Sequence, residues 1–91
     1  MTQYSLGIIE THSYAWALKV LQNLSEIKSI NFIKIETPGD SIVSVFFEGD
    51  LASIKNMIEL NSEVLKKENQ FITSLIIPKP HIDLMKYLKE K

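Results

Sequence analysis

Apolar and polar positions alternate along two runs in the middle of the chain, Ile30-Asn31-Phe32-Ile33-Lys34-Ile35-Glu36 and Ser41-Ile42-Val43-Ser44-Val45-Phe46-Phe47. β-Branched and aromatic side chains dominate both, a composition that suits a pleated, half-buried surface. Thr37-Pro38-Gly39-Asp40 lies between them and reads as a turn: Pro presets φ at one corner, Gly accepts φ > 0, and Asp can bond nearby backbone. The pattern predicts a β-hairpin. A hairpin alone is marginal in water, so the segments on either side must cover it.

Residues 4–10 predict a short strand in which Gly7 admits a close neighbour, and Thr11 stands where a helix cap belongs. From 12 to 28 the period lengthens. Tyr14, Ala17, Leu18, Leu21, Leu24 and Ile27 make an apolar stripe opposite Lys19, Gln22, Asn23 and Glu26. Trp16 falls at the border, where core packing and a subunit contact are equal readings. Gly49-Asp50 ends the hairpin and caps a second helix over 51–67, with Leu51, Ile54, Met57, Ile58, Val64 and Leu65 inward. Asn61 interrupts that stripe and Leu60 sits among polar residues. Each hints at a contact outside the monomer, although a satisfied amide and a solvated leucine explain them singly. Residues 71–77 predict a fourth strand, stopped by Pro78-Lys79-Pro80, and a short helical tail follows. The order β-α-β-β-α-β predicts an α+β, ferredoxin-like fold with a four-stranded antiparallel sheet and two covering helices. One domain spans 1–91, with its core over about 4–83 and its tail over 84–91.

Composition narrows the chemistry. The chain has no Cys, which excludes disulfides, thiolate metal sites and thiol nucleophiles. All ten basic residues are Lys, against eleven acidic ones, for a net charge of −1. No cationic surplus favours nucleic acid, and no Arg fork favours phosphate. The opening residues lack a charged and apolar leader, and no window suits a membrane span, so a cytoplasmic protein is expected. His12 and His81 are the only histidines, and His81-Ile82-Asp83 makes a poor metal pair compared with a loop histidine bonded to backbone. Glu10 and His12 could act as base and orienter, but no nucleophile or oxyanion device accompanies them. Neither catalysis nor a metal nor another cofactor is expected. Lys66-Lys67 suits a helix C-terminus.

Three landmarks share one register: Gly7-Ile8-Ile9-Glu10-Thr11 before a helix, Gly49-Asp50 with Lys55 in the next helix, and Ile76-Ile77-Pro78-Lys79-Pro80-His81-Ile82-Asp83. From about Leu6 to Asp83 the chain resembles the bacterial microcompartment shell-protein family, in its single-domain, hexamer-forming type. That resemblance implies a flat homo-hexameric ring, rings tiling with other shell proteins around encapsulated enzymes, and a central pore lined by the turn Thr37, Pro38, Gly39, Asp40 and Ser41. It also implies hexamer-edge and inter-tile roles for Trp16, Glu26, Lys79, Pro80 and His81. Where the family often shows K-I-G-S-G at the pore turn, this chain keeps only Gly39, and Ser41 replaces a second glycine that would permit φ > 0. Glu26 stands where the family commonly carries an edge lysine that lies antiparallel to its mate across a two-fold, and Lys79 where it carries an arginine. Trp16 adds bulk where small residues are common. The resemblance thus implies a shell tile that mixes with others or has altered edges. The alternative is a ferredoxin-like regulatory module that binds a ligand as a dimer or trimer.

Overall fold

The computed structural model describes residues 4–39 and 41–90. Its elements are β1 (Ser5–Thr11), α1 (Tyr14–Ser25), β2 (Ile30–Gly39), β3 (Ile42–Gly49), α2 (Leu51–Lys67), β4 (Phe71–Ile77) and α3 (Ile82–Lys89). The strands lie in the order β2-β3-β1-β4 and every neighbouring pair is antiparallel. This is the expected ferredoxin-like α+β arrangement, with α3 as the helical tail.

The core follows from strand alternation. In register, Ile9 faces Val45 and Gly7 faces Phe47, so these residues share one side of the sheet. Ala17, Val20 and Leu24 of α1 and Ile54, Met57, Ile58 and Leu65 of α2 cover that side as one buried cluster. The other side carries Leu6 and Glu48, which are paired across β1 and β3. Glu48 is buried to 7% exposure and its carboxylate meets Lys89 of α3 at 2.8 Å. A helix ending on the sheet thus pairs an otherwise costly buried charge.

Both long helices differ in detail from the expectation. Ser13, not Thr11, caps α1: its hydroxyl accepts the Trp16 N–H at 3.2 Å, while Thr11 stays in β1 and donates to the Gln70 carbonyl at 2.6 Å. The buried stripe runs Ala17, Val20, Leu24 and leaves Tyr14, in the first turn, and Leu18, one residue on from Ala17 and so turned off that face, exposed. On α2 the inward face includes Asn61 and Ser62, while Leu51, Leu60 and Val64 are exposed. The helix ends in a Schellman motif, as Gln70 N–H reaches the Leu65 carbonyl and Asn69 N–H the Lys66 carbonyl, with Asn69 at φ 56.

Asp50 caps α2 as expected. Its carboxylate accepts the Ser53 N–H at 3.0 Å, and the hydrogen bonds from Ser53 hold its pKa below the ordinary value. A carboxyl depressed on folding contributes stability above its unfolded pKa and loses it as pH falls through the folded one. Asp50→Asn keeps a capping oxygen but removes the charge. We expect it to lower the melting temperature at neutral pH, where the charged cap contributes, and to converge on the unaltered chain below about pH 4, where carboxylates titrate, so that the acid limb of a thermal-melt series flattens.

Candidate functional site

The hairpin tip is tighter than the sequence suggests. β2 continues through Thr37 and Pro38 to Gly39, which pairs with Ile42 and leaves a connection of two residues. A proline survives in the strand because β2 is a sheet edge and the register shifts between Glu36 and Gly39, the signature of a bulge. A second shift lies between Phe32 and Lys34. The positive φ expected at Gly39 is absent, and Ser41 instead stands at φ 65. Ser41 thus adopts the left-handed backbone that a glycine would supply, against the steric preference of an L-residue. Ser41→Gly is expected to raise the unfolding free energy by about 0.5–1 kcal/mol, the relieved strain outweighing the added chain entropy. Urea unfolding at fixed protein concentration checks this.

Residues 36–39 and Ser41 are all exposed, and a Cβ on Gly39 would meet nothing within 4 Å. Among the described residues, the tip of the hairpin is therefore exposed rather than packed into the core of its own chain. Asp40, expected among the pore-lining residues, lies outside the described residues.

Trp16 and Glu26 stand at opposite ends of α1, and a groove between α1 and α2 joins them. Trp16 is half-buried, packs against the core cluster and carries the Lys19 ammonium 4.5 Å from its ring centroid. Glu26 is the exposed C-cap, and its N–H reaches the Asn23 and Leu24 carbonyls. Leu60 and Asn61, both singled out by the sequence, line the same groove. Asn61 is the satisfied amide of the plainer reading: it donates to the Met57 carbonyl at 2.9 Å and accepts from Asn23 at 2.9 Å. Sequence reasoning had no signal for Val64 as a lining residue, since its position lies on the expected inward stripe.

Lys79, Pro80 and His81 occupy the link from β4 to α3. Pro80 is half-buried, whereas Lys79 and His81 are exposed. His81 caps α3, its Nδ1 accepting the Asp83 N–H at 3.0 Å, which is the backbone-bonded histidine that the sequence favoured. Among the described residues no hydrogen bond or ion pair links this segment to α1. Glu10 accepts from Ser44 at 2.7 Å, a cross-strand contact rather than a catalytic pair, and His12 is exposed. Among the described residues no cluster of three metal-ligating side chains occurs, and no helix is long and apolar enough to cross a membrane.

The family model described as BMC domain matches residues 5–80, which includes every strand and the two long helices. Among solved structures, the chain is similar to a microcompartments protein from Desulfitobacterium hafniense DCB. The TM-score is 0.80 at 22% sequence identity, over 94% of this chain and 49% of that one. At that identity the likeness speaks for the fold, and the chain spans about half the length of that protein. No curated protein matches the chain.

Proposed function

This chain belongs to the BMC domain family of bacterial microcompartment shell proteins, and from that premise we propose that it forms a homo-hexameric shell tile whose central pore passes small metabolites. The observation that carries this reading is the family match over residues 5–80, which leaves out only the chain ends and α3. The exposed hairpin tip supports it, because a loop that meets its own copies around an axis must be short and free of its own chain's core. In this reading Thr37, Pro38, Gly39, Asp40 and Ser41 line the pore. Trp16, Glu26, Lys79, Pro80 and His81 belong to the tile edge, and the shell lies in the bacterial cytoplasm around its enzymes. The role is structural, with solute passage and no chemistry of its own. Glu26 on an edge shared with an identical tile would repel its mate, so this tile is read as joining other shell proteins rather than tiling alone.

The test is the native mass of the purified chain, followed by electron microscopy of the same sample. A mass of roughly six chains, as closed cyclic symmetry requires, is the expected result. A stable dimer or trimer overturns the tile and favours the ligand-binding module. In hexamers, six Asp40 carboxylates at the pore repel anions. Asp40→Asn is therefore expected to raise passage of a small dianion, relative to a neutral solute of equal size, roughly tenfold, the change that about 1.4 kcal/mol of barrier produces. Equal ratios in the two proteins would remove Asp40 from the pore.

A further inference from the structure

Two adjoining cavities of about 370 and 340 Å³ open between α1 and α2 and share Asn23, Asn61 and Val64, so they form one cleft. The charged side chains lining it are Lys19 at the Trp16 end and Glu26 at the far end. We propose that this cleft is a binding site for a small aliphatic monocarboxylate. The proposal concerns a single chain and does not rest on the tile reading, although Trp16 and Glu26, read there as tile-edge residues, bound the cleft, so the site is open where no neighbouring tile covers them.

The cleft is preformed. Asn61 is buried within the apolar side of α2, a placement that costs free energy unless the amide is bonded. Its NH₂ group donates to the Met57 carbonyl at 2.9 Å and lies 3.3 Å from the Met57 sulfur, and its Oδ1 accepts from Asn23 at 2.9 Å. Asn61 therefore spends its donors on its own helix and uses its oxygen to hold Asn23 across the gap between helices. Asn23 is the positioned group. Its side-chain oxygen and second N–H enter no other hydrogen bond among the described residues, and it lines both cavities.

Recognition would follow from three features in order along the cleft. At one end the Lys19 ammonium is tethered over the Trp16 ring at 4.5 Å, which keeps a cation at the mouth of the cavity that Asn23 also lines. Ammonium and amide N–H together suit a carboxylate head. In the middle, Val64 at 50% exposure faces the groove above the buried Val20 and Leu65 and offers aliphatic surface to a hydrocarbon chain. At the far end, Leu60 at 54% exposure and Ile27 continue that wall, but the Glu26 carboxylate stands beside them. A second negative head is repelled there. The charge order therefore selects one carboxylate with an apolar tail and rejects both the neutral analogue and the diacid. A cavity of this size suits a ligand of modest length.

Trp16 is the only tryptophan, so the intact chain reports on the cleft by its own emission. Hexanoate, hexanamide, butanoate and adipate are titrated at constant ionic strength against emission and, in parallel, against the side-chain amide NMR signals of Asn23 and Asn61. Hexanoate is expected to saturate both signals near about 1 mM, as a small weakly held ligand should. Butanoate should bind roughly tenfold more weakly for its two lost methylenes. Hexanamide and adipate should each be at least about fivefold weaker than hexanoate, and Lys19→Gln should equalise hexanoate and hexanamide without changing the affinity for hexanamide. Lys19 is exposed, so this variant is expected to fold. Equal binding of hexanoate and hexanamide by the unaltered protein overturns the proposal. So does an emission that follows protein concentration rather than ligand, which would mean that a second copy fills the cleft. Silence of both signals in a sample of native hexameric mass overturns this site and leaves the tile standing.

Discussion

Phe47→Ala is expected to lower the unfolding free energy by about 3–5 kcal/mol, the range for emptying an aromatic site in a packed core. Phe47 has no exposed surface and lies opposite Gly7 in the β1–β3 ladder. Its ring covers the glycine: a Cβ built on Gly7 would stand 2.5 Å from Cε2, 2.9 Å from Cζ, and 3.0 Å from a methyl of Ile54. Gly7 was expected to admit a close neighbour, and the neighbour is this ring with α2 pressed behind it. Gly7→Ala should therefore cost about 1–3 kcal/mol by overpacking. Because the colliding atoms belong to Phe47, the cost should fall markedly in a Phe47→Leu background. Urea unfolding of the unaltered chain, the two single variants Gly7→Ala and Phe47→Leu and the double variant at one protein concentration, since any assembly adds concentration-dependent stability, gives the coupling. Additive losses would show that the strain is taken up by the backbone of β1 instead.

The same pair shows what could be read in the chain and what could not. Strand identity was legible because alternation over residues 30–36 and 41–47 gives way to helical spacing on both sides, and that change of period fixes the ferredoxin-like order. The end of β2 was not. Pro38-Gly39 carries the composition of a turn, yet an edge strand with a bulge absorbs both, and the left-handed residue moves to Ser41. The α1 cap was shifted by two residues because Thr11 and Ser13 are equally able caps, and only the reach of Thr11 to Gln70 decides between them. At the candidate sites, Trp16, Leu60 and Asn61 were each visible as misfits in a helical pattern. Their meeting in one cleft depends on how α1 and α2 lie side by side, which no periodicity states. The edge roles of Lys79, Pro80 and His81 came through the family landmarks alone, since their spacing yields only a strand stop and a helix cap.

Gly49→Ala is expected to be as damaging as the loss of Phe47, for a different reason. A Cβ at Gly49 would stand 2.5 Å from the Ser29 carbonyl oxygen and 3.2 Å from the Ile30 Cα. Those are backbone atoms and cannot rotate away as a side chain would. Ile30 is also fixed, since it pairs with Gly49 in the β2–β3 ladder and its N–H is bonded to the Ile27 carbonyl at 3.2 Å. The collision can be relieved only by prising the start of β2 from β3, which draws buried Ile30 out of the core. We expect a loss of about 3 kcal/mol or more, at the upper end for overpacking, and faster amide exchange over β2 than over β1. If the tile forms as proposed around the hairpin tip, which hangs from β2, the same variant should lose the native mass of the assembly before it loses helical signal. Gly39→Ala is the matched control. Gly39 ends β2 at the tip of the same hairpin, its φ is not positive, and its Cβ would enter open space, so the stability of this variant should stay within about 0.5 kcal/mol of the unaltered chain. Gly49-Asp50 is therefore a landmark with two structural causes, a backbone crossing that leaves no room for a Cβ and a carboxylate that caps α2. Equal effects at Gly39 and Gly49 would show that chain entropy, not the Ser29 carbonyl, sets the need for glycine there.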